Sequence, residues 1–178
     1  MPRPSRQRGK QVHRRGLSRE RICVMTGVND SNETFLEVTG RGALSRERAM
    51  DALRGRIAAG SVVATDRAAA YVGVLAELGV AAHAAYDPED RSGGTINRVN
   101  TVHSLLGAFM EPFRGVSTKH LDAYLAWFRW CRTFMATDSG AAGRTVARQL
   151  AHGVCRSRVR DMFNVAPPYM DYWAAPAA

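Results

Sequence analysis

The residues with the clearest chemical potential are one aspartate and one polar helix face. Asp66 follows the apolar run "SVVAT" (61–65), which predicts a short strand with the carboxylate at its C-terminal end. Open α/β sheets present their ligands at that end. Downstream, in "INRVNTVHSLLGAFMEPFRGV" (96–116), helical spacing brings Asn100, His103, Ser104, Gly107 and Glu111 within about 60° of one direction. Val102, Leu105, Leu106, Phe109 and Phe113 point the other way, so the apolar side is expected in the core and the polar side exposed or lining a cleft. Each of these residues also has a plainer reading: Asp66 as the cap of a following helix, Asn100 as the cap of its own, and His103 as a solvated surface histidine. His13, His83, His120 and His152 show no ligand spacing.

Charge supplies a second candidate function. Of the net +9, residues 1–21 carry +7, with seven Arg and one Lys against the single acid Glu20. This arm, interrupted by Pro2, Pro4, Gly9 and Gly16, cannot bury apolar surface, and a polyanion is its natural partner. A solvated tail without a dedicated role is the plainer alternative. Cys23, Cys131 and Cys155 are far apart with no C-x-x-C pair, so neither a zinc ribbon nor a disulfide framework is supported and a reduced, cytoplasmic setting is expected. An apolar leader and a membrane-length apolar run are both lacking, so neither export nor membrane spanning is expected.

These groups need elements to position them. "RICVMTGV" (21–28) and "ETFLEVT" (33–39) flank the turn-rich "NDSN", predicting an antiparallel hairpin. Ser45 is expected to cap a helix carrying Met50, Leu53 and Ile57 and closed by Gly60. A helix over 67–78, with Tyr71, Val74, Leu75 and Leu78 on one face and Gly79 as its stop, should follow the Asp66 strand. "VAAHAAY" (80–86) is a further candidate strand, and "DPEDRSGG" (87–94) a loop. Pro112 should end the next helix near Glu111. Residues 117–134 predict another amphipathic helix with Leu121, Tyr124, Leu125 and Phe128 in the core and Trp127 and Trp130 beside them. "TDSGAAGR" (137–144) is expected to mark a boundary, 144–163 a basic helix, and "APPYMDYWAAPAA" a loose end. This order of elements predicts an α/β domain with a mixed sheet.

Three blocks resemble the catalytic domain of insertion-sequence transposases of family 1595. "PRPSRQRGKQVHRRGLS" is similar to that family's basic linker, "VVATDRAAAY" to the strand carrying its second catalytic Asp, and "VNTVHSLLGAFMEPFRGVSTKHLDAYLAWFRW" to its last catalytic helix and the helix after it. The last block is the most specific. The resemblance covers residues 2 to about 135 and implies a ribonuclease-H-like fold and DNA strand transfer on two Mg²⁺ ions about 4 Å apart. It matches Asp66 to the second catalytic and metal-binding Asp and Asn100 to the third such position, 34 residues later. DNA contacts are implied for Arg3, Arg6, Arg8, Lys10, Arg14, Arg15, His103 and Lys119, with self-association left open.

Departures from the family pattern bear on activity. The family's first catalytic Asp lies upstream of the basic linker, on the central strand of the sheet, so the chain is expected to be N-terminally truncated and to lack that ligand and that strand. Unpaired backbone would then be left between the second strand and the Asp66 strand. Asp30, Glu33 and Glu37 belong to the predicted hairpin and are poorly placed to substitute. Gly107 stands where the family usually has a Lys or Arg at the DNA terminus, and Arg67 where it tends to have Gly. The expectation is a basic arm (1–21), a partial ribonuclease-H-like domain (22–136) and a divergent tail (137–178), catalytically inactive but DNA-binding, cytoplasmic and nucleoid-associated on DNA. A non-catalytic nucleic-acid-binding protein on the remnant scaffold, or a chain completed by an upstream segment into an active enzyme, are the alternatives.

Overall fold

The computed structural model describes residues 21–87, 96–134, 139–152, 158 and 160. The chain opens on an antiparallel hairpin, β1 (Ile22–Val28) and β2 (Thr34–Arg41). Asn29 shapes its turn: Oδ1 accepts from the Glu33 N–H at 2.9 Å and Nδ2 donates to the Glu33 carboxylate at 2.7 Å. Asn32 takes the left-handed conformation at φ 61°, which asparagine tolerates better than most residues. The register slips between Cys23 and Val24, and the Thr39 hydroxyl patches the irregularity by donating to the Cys23 carbonyl at 3.3 Å. At this bulge Gly40 has φ 144°, and a Cβ there would run into the Arg48 side chain.

Ser45 caps α1 (Arg46–Leu53), its Oγ accepting from the Arg48 N–H at 3.3 Å. Glu47 in that first turn is held below the usual carboxylate range by hydrogen bonds from the backbone and Ser45. Arg48 then clamps the exit of β2, donating to the carbonyls of Arg41, at 3.0 Å, and Ala43. The helix stops earlier than its spacing predicts. Gly55, at φ 74°, follows Leu53 by two residues, so Ile57 reaches the core from a turn rather than from a helix.

β3 (Val62–Asp66) and β4 (Ala82–Tyr86) pair in parallel, Val62 opposite Ala82 and Asp66 opposite Tyr86. The single helix expected over 67–78 is not formed. A 3₁₀ turn (Ala69–Tyr71) and a one-turn helix, α2 (Val74–Glu77), are separated by Gly73 at φ 79°, whose backbone lies close to the Arg46 guanidinium. The predicted inward face survives the break: Val74 and Leu75 are buried, and Tyr71 and Leu78 pack beside them. Gly79 ends α2 as expected.

α3 spans Ile96–Met110 and gives way to a 3₁₀ turn (Glu111–Phe113) containing Pro112. A further 3₁₀ turn (Thr118–His120) leads into α4 (Leu121–Phe134), and α5 covers Ser139–His152, starting inside the stretch expected to mark a boundary and running into the one expected to be helical. Helices cover both faces of the hairpin. Neighbouring side chains on a strand point to opposite faces, and on β2 Phe35 joins the core with α1 whereas Thr34 accepts from Arg132 Nε of α4 at 3.1 Å. The main core gathers Met25, Ala49, Met50, Leu53, Val74 and Leu75. On the other side α3 packs against β1 and β3, and α4 against β2, burying Val102, Leu125 and Phe128. This second layer covers a narrower stripe than the apolar arc of α3, leaving Leu105 45% exposed. Trp127, expected beside the core, is 50% exposed, with its inner edge against Phe109.

The strands form two separate two-stranded sheets, β1–β2 and β3–β4, rather than one mixed sheet. β1 and β3 do not pair with each other, so each keeps one edge without a strand partner among the described residues. Replacing Leu75 by Ala should cost about 2–5 kcal/mol, because a buried branched side chain is lost and a cavity left. Leu150→Ala on the exposed face of α5 should stay within about 0.5 kcal/mol. Denaturant midpoints compare the two; equal losses would place Leu75 outside the core.

Candidate functional site around Asp66

Asp66 closes β3, and its exposed side chain organises the turn that follows. Oδ1 accepts from the Ala68 N–H at 3.3 Å, so the capping reading is realised on a turn rather than on a helix. Thr65 Oγ1 lies 2.7 Å from the Asp66 carbonyl and 2.7 Å from His83 Nε2 on β4. The hydroxyl has one proton, so both bonds form together when Thr65 donates to the carbonyl and the His83 Nε2–H donates to Thr65. Arg67 reaches across to Asp87 just past β4, at 3.0 Å, tying together the C-terminal ends of the parallel strands.

Two further side chains lie within the field of Asp66. Tyr71, from the 3₁₀ turn, has its phenol pushed up to about 12 by burial first, and then by its electrostatic interaction with Asp66 and, less, with Cys23. It therefore stays protonated at neutral pH. His103, on α3, is pushed below the usual histidine value of 6.5 by partial desolvation, which the Asp66 carboxylate opposes without cancelling. The neutral imidazole is favoured, so His103 offers a hydrogen-bonding group rather than a fixed positive charge at neutral pH.

The structure brings only part of the expected constellation together. Asn100 lies inside α3, which begins at Ile96, so it does not cap its helix. Its side chain is exposed and makes no hydrogen bond among the described residues, while its carbonyl accepts from Ser104 Oγ at 3.1 Å. The α3 residue whose interaction with Asp66 is resolved is His103, one turn later. Gly107, a further turn along, is exposed, with nothing within 4 Å of where a Cβ would stand. Lys119 is half-buried in the 3₁₀ turn before α4. Arg3, Arg6, Arg8, Lys10, Arg14 and Arg15 lie outside the described residues. Sequence reasoning missed Tyr71 and His83 as neighbours of this strand end; Tyr71 had registered only as part of an apolar face.

The hairpin acids are engaged elsewhere. Asp30 pairs with Arg98 at 2.9 Å, Glu33 with Asn29, and Glu37 with Arg56 at 2.5 Å. Among the described residues no three His, Cys, Asp or Glu side chains converge as a metal-binding group. Asp66 with the Asn100 amide and the His103 imidazole is a poor donor set for two hard cations, which favour several oxygen ligands and carboxylate charge. These residues do not fit the two-metal centre that the resemblance implies.

The Asp66–His103 relation has a direct test. In an NMR titration the His103 imidazole should show a midpoint below 6.5, and Asp66→Asn should lower it further by removing the charge that raises it. An unchanged midpoint in the variant would mean that the charge of Asp66 does not reach α3. Because the folded-state value is depressed, this histidine favours the folded chain above the unfolded value and withdraws that support as the pH falls through it.

Among the described residues no helix is long and apolar enough to cross a membrane. Comparison with curated proteins finds no match. A family profile described as an ISXO2-like transposase domain matches residues 2–133, about three quarters of the 178-residue chain and all of its elements from β1 to near the end of α4. On that match the chain belongs to the ISXO2-like transposase family.

Proposed function

We propose that this protein is a DNA-binding transposase domain that does not complete strand transfer by itself. The observation that carries the reading is the donor set at Asp66: one carboxylate at the end of β3, with hairpin acids Asp30 and Glu37 held by Arg98 and Arg56. Phosphoryl transfer assisted by two metals needs further carboxylate ligands to clamp the attacking and leaving oxygens. By family resemblance Asp66 is the second of the catalytic acids and Asn100 the third position, which leaves the first to be supplied by another segment. The antiparallel hairpin, the parallel β3–β4 pair and the helix α3 packed on both β1 and β3 are compatible with a ribonuclease-H-like arrangement.

DNA binding rests on the basic arm. Its cations, Arg3, Arg6, Arg8, Lys10, Arg14 and Arg15 among them, suit backbone phosphates, which carry no sequence information, so binding by the arm is non-specific. Gly107 removes a further cation from the α3 face where the family usually has one. His103, neutral at physiological pH, adds no full charge there.

Two measurements test this reading. If the arm meets about six to eight phosphates, the logarithm of the binding constant should fall with the logarithm of salt concentration with a slope of roughly −5 to −7. A flat dependence would reject the arm as the DNA contact. With Mg²⁺ or Mn²⁺ and a transposon-end duplex, the chain should give no strand-transfer product. Product that disappears on Asp66→Ala would overturn the assignment of an incomplete centre.

A further inference from the structure

The positive charge of the chain sits in two places. Between residues 22 and 138, twelve Lys and Arg stand against thirteen Asp and Glu, so the body of the domain is close to neutral. The arm of residues 1–21 holds an excess of seven, and residues 139–160 hold five Arg and no acid. A basic cluster beside a balanced body is the electrostatic footprint of a polyanion site rather than of general solubility. The second cluster begins past residue 133, where the family match stops, so the transposase domain does not account for it.

α5 gives this cluster a fixed geometry. Arg144, Arg148 and His152 recur at every fourth residue and are all exposed, so they stand on one helix face at steps of about 6 Å. The helix is fastened by a different face. Gln149 accepts from Trp130 Nε1 of α4 at 3.2 Å, and Thr145 is half-buried. At about 100° per residue, Arg144 and Arg148 are turned roughly 80–120° away from the direction of Thr145 and Gln149, to one side of the α4 contact. The part of α4 around Trp130 adds no carboxylate: from 123 to 134 its charged residues are Arg129 and Arg132. Like charges one turn apart repel, and a bound polyanion relieves that repulsion.

Two kinds of polyanion suit such a face, a nucleic acid and an anionic membrane. The composition of α5 favours the first. Val146 and Leu150 are exposed, but the helix has no Trp, Tyr or Phe, whereas helices that lie in a membrane interface carry a strongly apolar face that includes aromatic anchors. Arginines spaced along a rigid helix suit instead the repeated phosphates of a nucleic-acid backbone. We propose that Arg144 and Arg148, with His152 continuing their line, form a second contact to the DNA backbone, on a helix outside the matched domain and separate from the basic arm. The proposal rests on the DNA-binding reading given above and adds a site to it. Because arginine meets phosphate without reading bases, this contact holds duplexes of unrelated sequence alike and fixes how the domain sits on them.

Binding of the full chain to a random-sequence duplex, measured across a salt series, tests the proposal. The double variant Arg144→Gln/Arg148→Gln keeps good helix formers and should make the logarithmic salt slope shallower by about 2, and each single variant by about 1, one step for each phosphate released. Arg144→Lys/Arg148→Lys keeps the charges and should hold the natural slope. A matched exposed pair on α1 and its C-cap, Arg46→Gln/Arg54→Gln, should leave the slope unchanged as well. Neutralising Arg3, Arg6, Arg8 and Lys10 of the arm should flatten the slope separately, and the arm and α5 losses should add. A natural slope in the α5 double variant overturns the proposal while DNA binding by the arm stands. An equal loss in the α1 pair also overturns it, by showing a diffuse field in place of a site. No salt-dependent binding by the natural chain rejects the DNA-binding reading itself, and this site with it. If the α5 variant keeps its DNA slope but no longer binds phosphatidylserine vesicles that the natural chain binds, the stripe is a membrane contact and the proposal falls.

Discussion

Backbone N–H and C=O groups taken out of water have to find partners, and among the described residues β1 and β3 each have a strand partner on one side alone. Elsewhere the chain meets that need with care. The bulge at Cys23 is patched by the Thr39 hydroxyl, the end of β2 is held by Arg48, and the hairpin turn is closed by Asn29. Against that background the separation of the β1–β2 pair from the β3–β4 pair stands out among the described residues. α3 lies against both strands and supplies apolar contact across them, but side-chain packing cannot replace a ladder of hydrogen bonds.

The site inherits this arrangement. Asp66 is presented at the end of β3, where its carboxylate organises the following turn and acts on Tyr71 and His103. These neighbours are protonated phenol and neutral imidazole at neutral pH, and the nearby Arg67 is engaged by Asp87. They do not assemble the carboxylate density that two divalent ions require. Membership of a transposase family and a thin donor set are therefore compatible: the match concerns the elements that present the site, whereas the chemistry depends on how many acids reach it.

Local signals were legible. The hairpin followed from β-forming runs around "NDSN", Ser45 capped α1, Gly79 stopped α2, and Pro112 ended α3 within a residue of where it was expected. The inward face of 67–78 was also correctly read from spacing, since Val74 and Leu75 are buried. The helix meant to carry that face was wrong, because Gly73 could be read as an ordinary helical residue until its left-handed φ was known. Trp127 and Leu105 fit an apolar arc, yet the layer packed on them is not wide enough to cover it.

The amino-acid sequence alone determined the hairpin, the cap of α1, the end of α3, which face of each main element is apolar, and the family to which residues 2–133 belong. Those properties arise from interactions spanning a few residues or from motifs laid out in order along the chain. Only the tertiary structure decided that the strands form two sheets, that His103 is the α3 residue coupled to Asp66, and that the hairpin acids are tied to Arg98 and Arg56. Strand pairing, ion pairing and desolvation join groups distant in the chain, and their outcome depends on which surfaces meet, a matter no local spacing encodes.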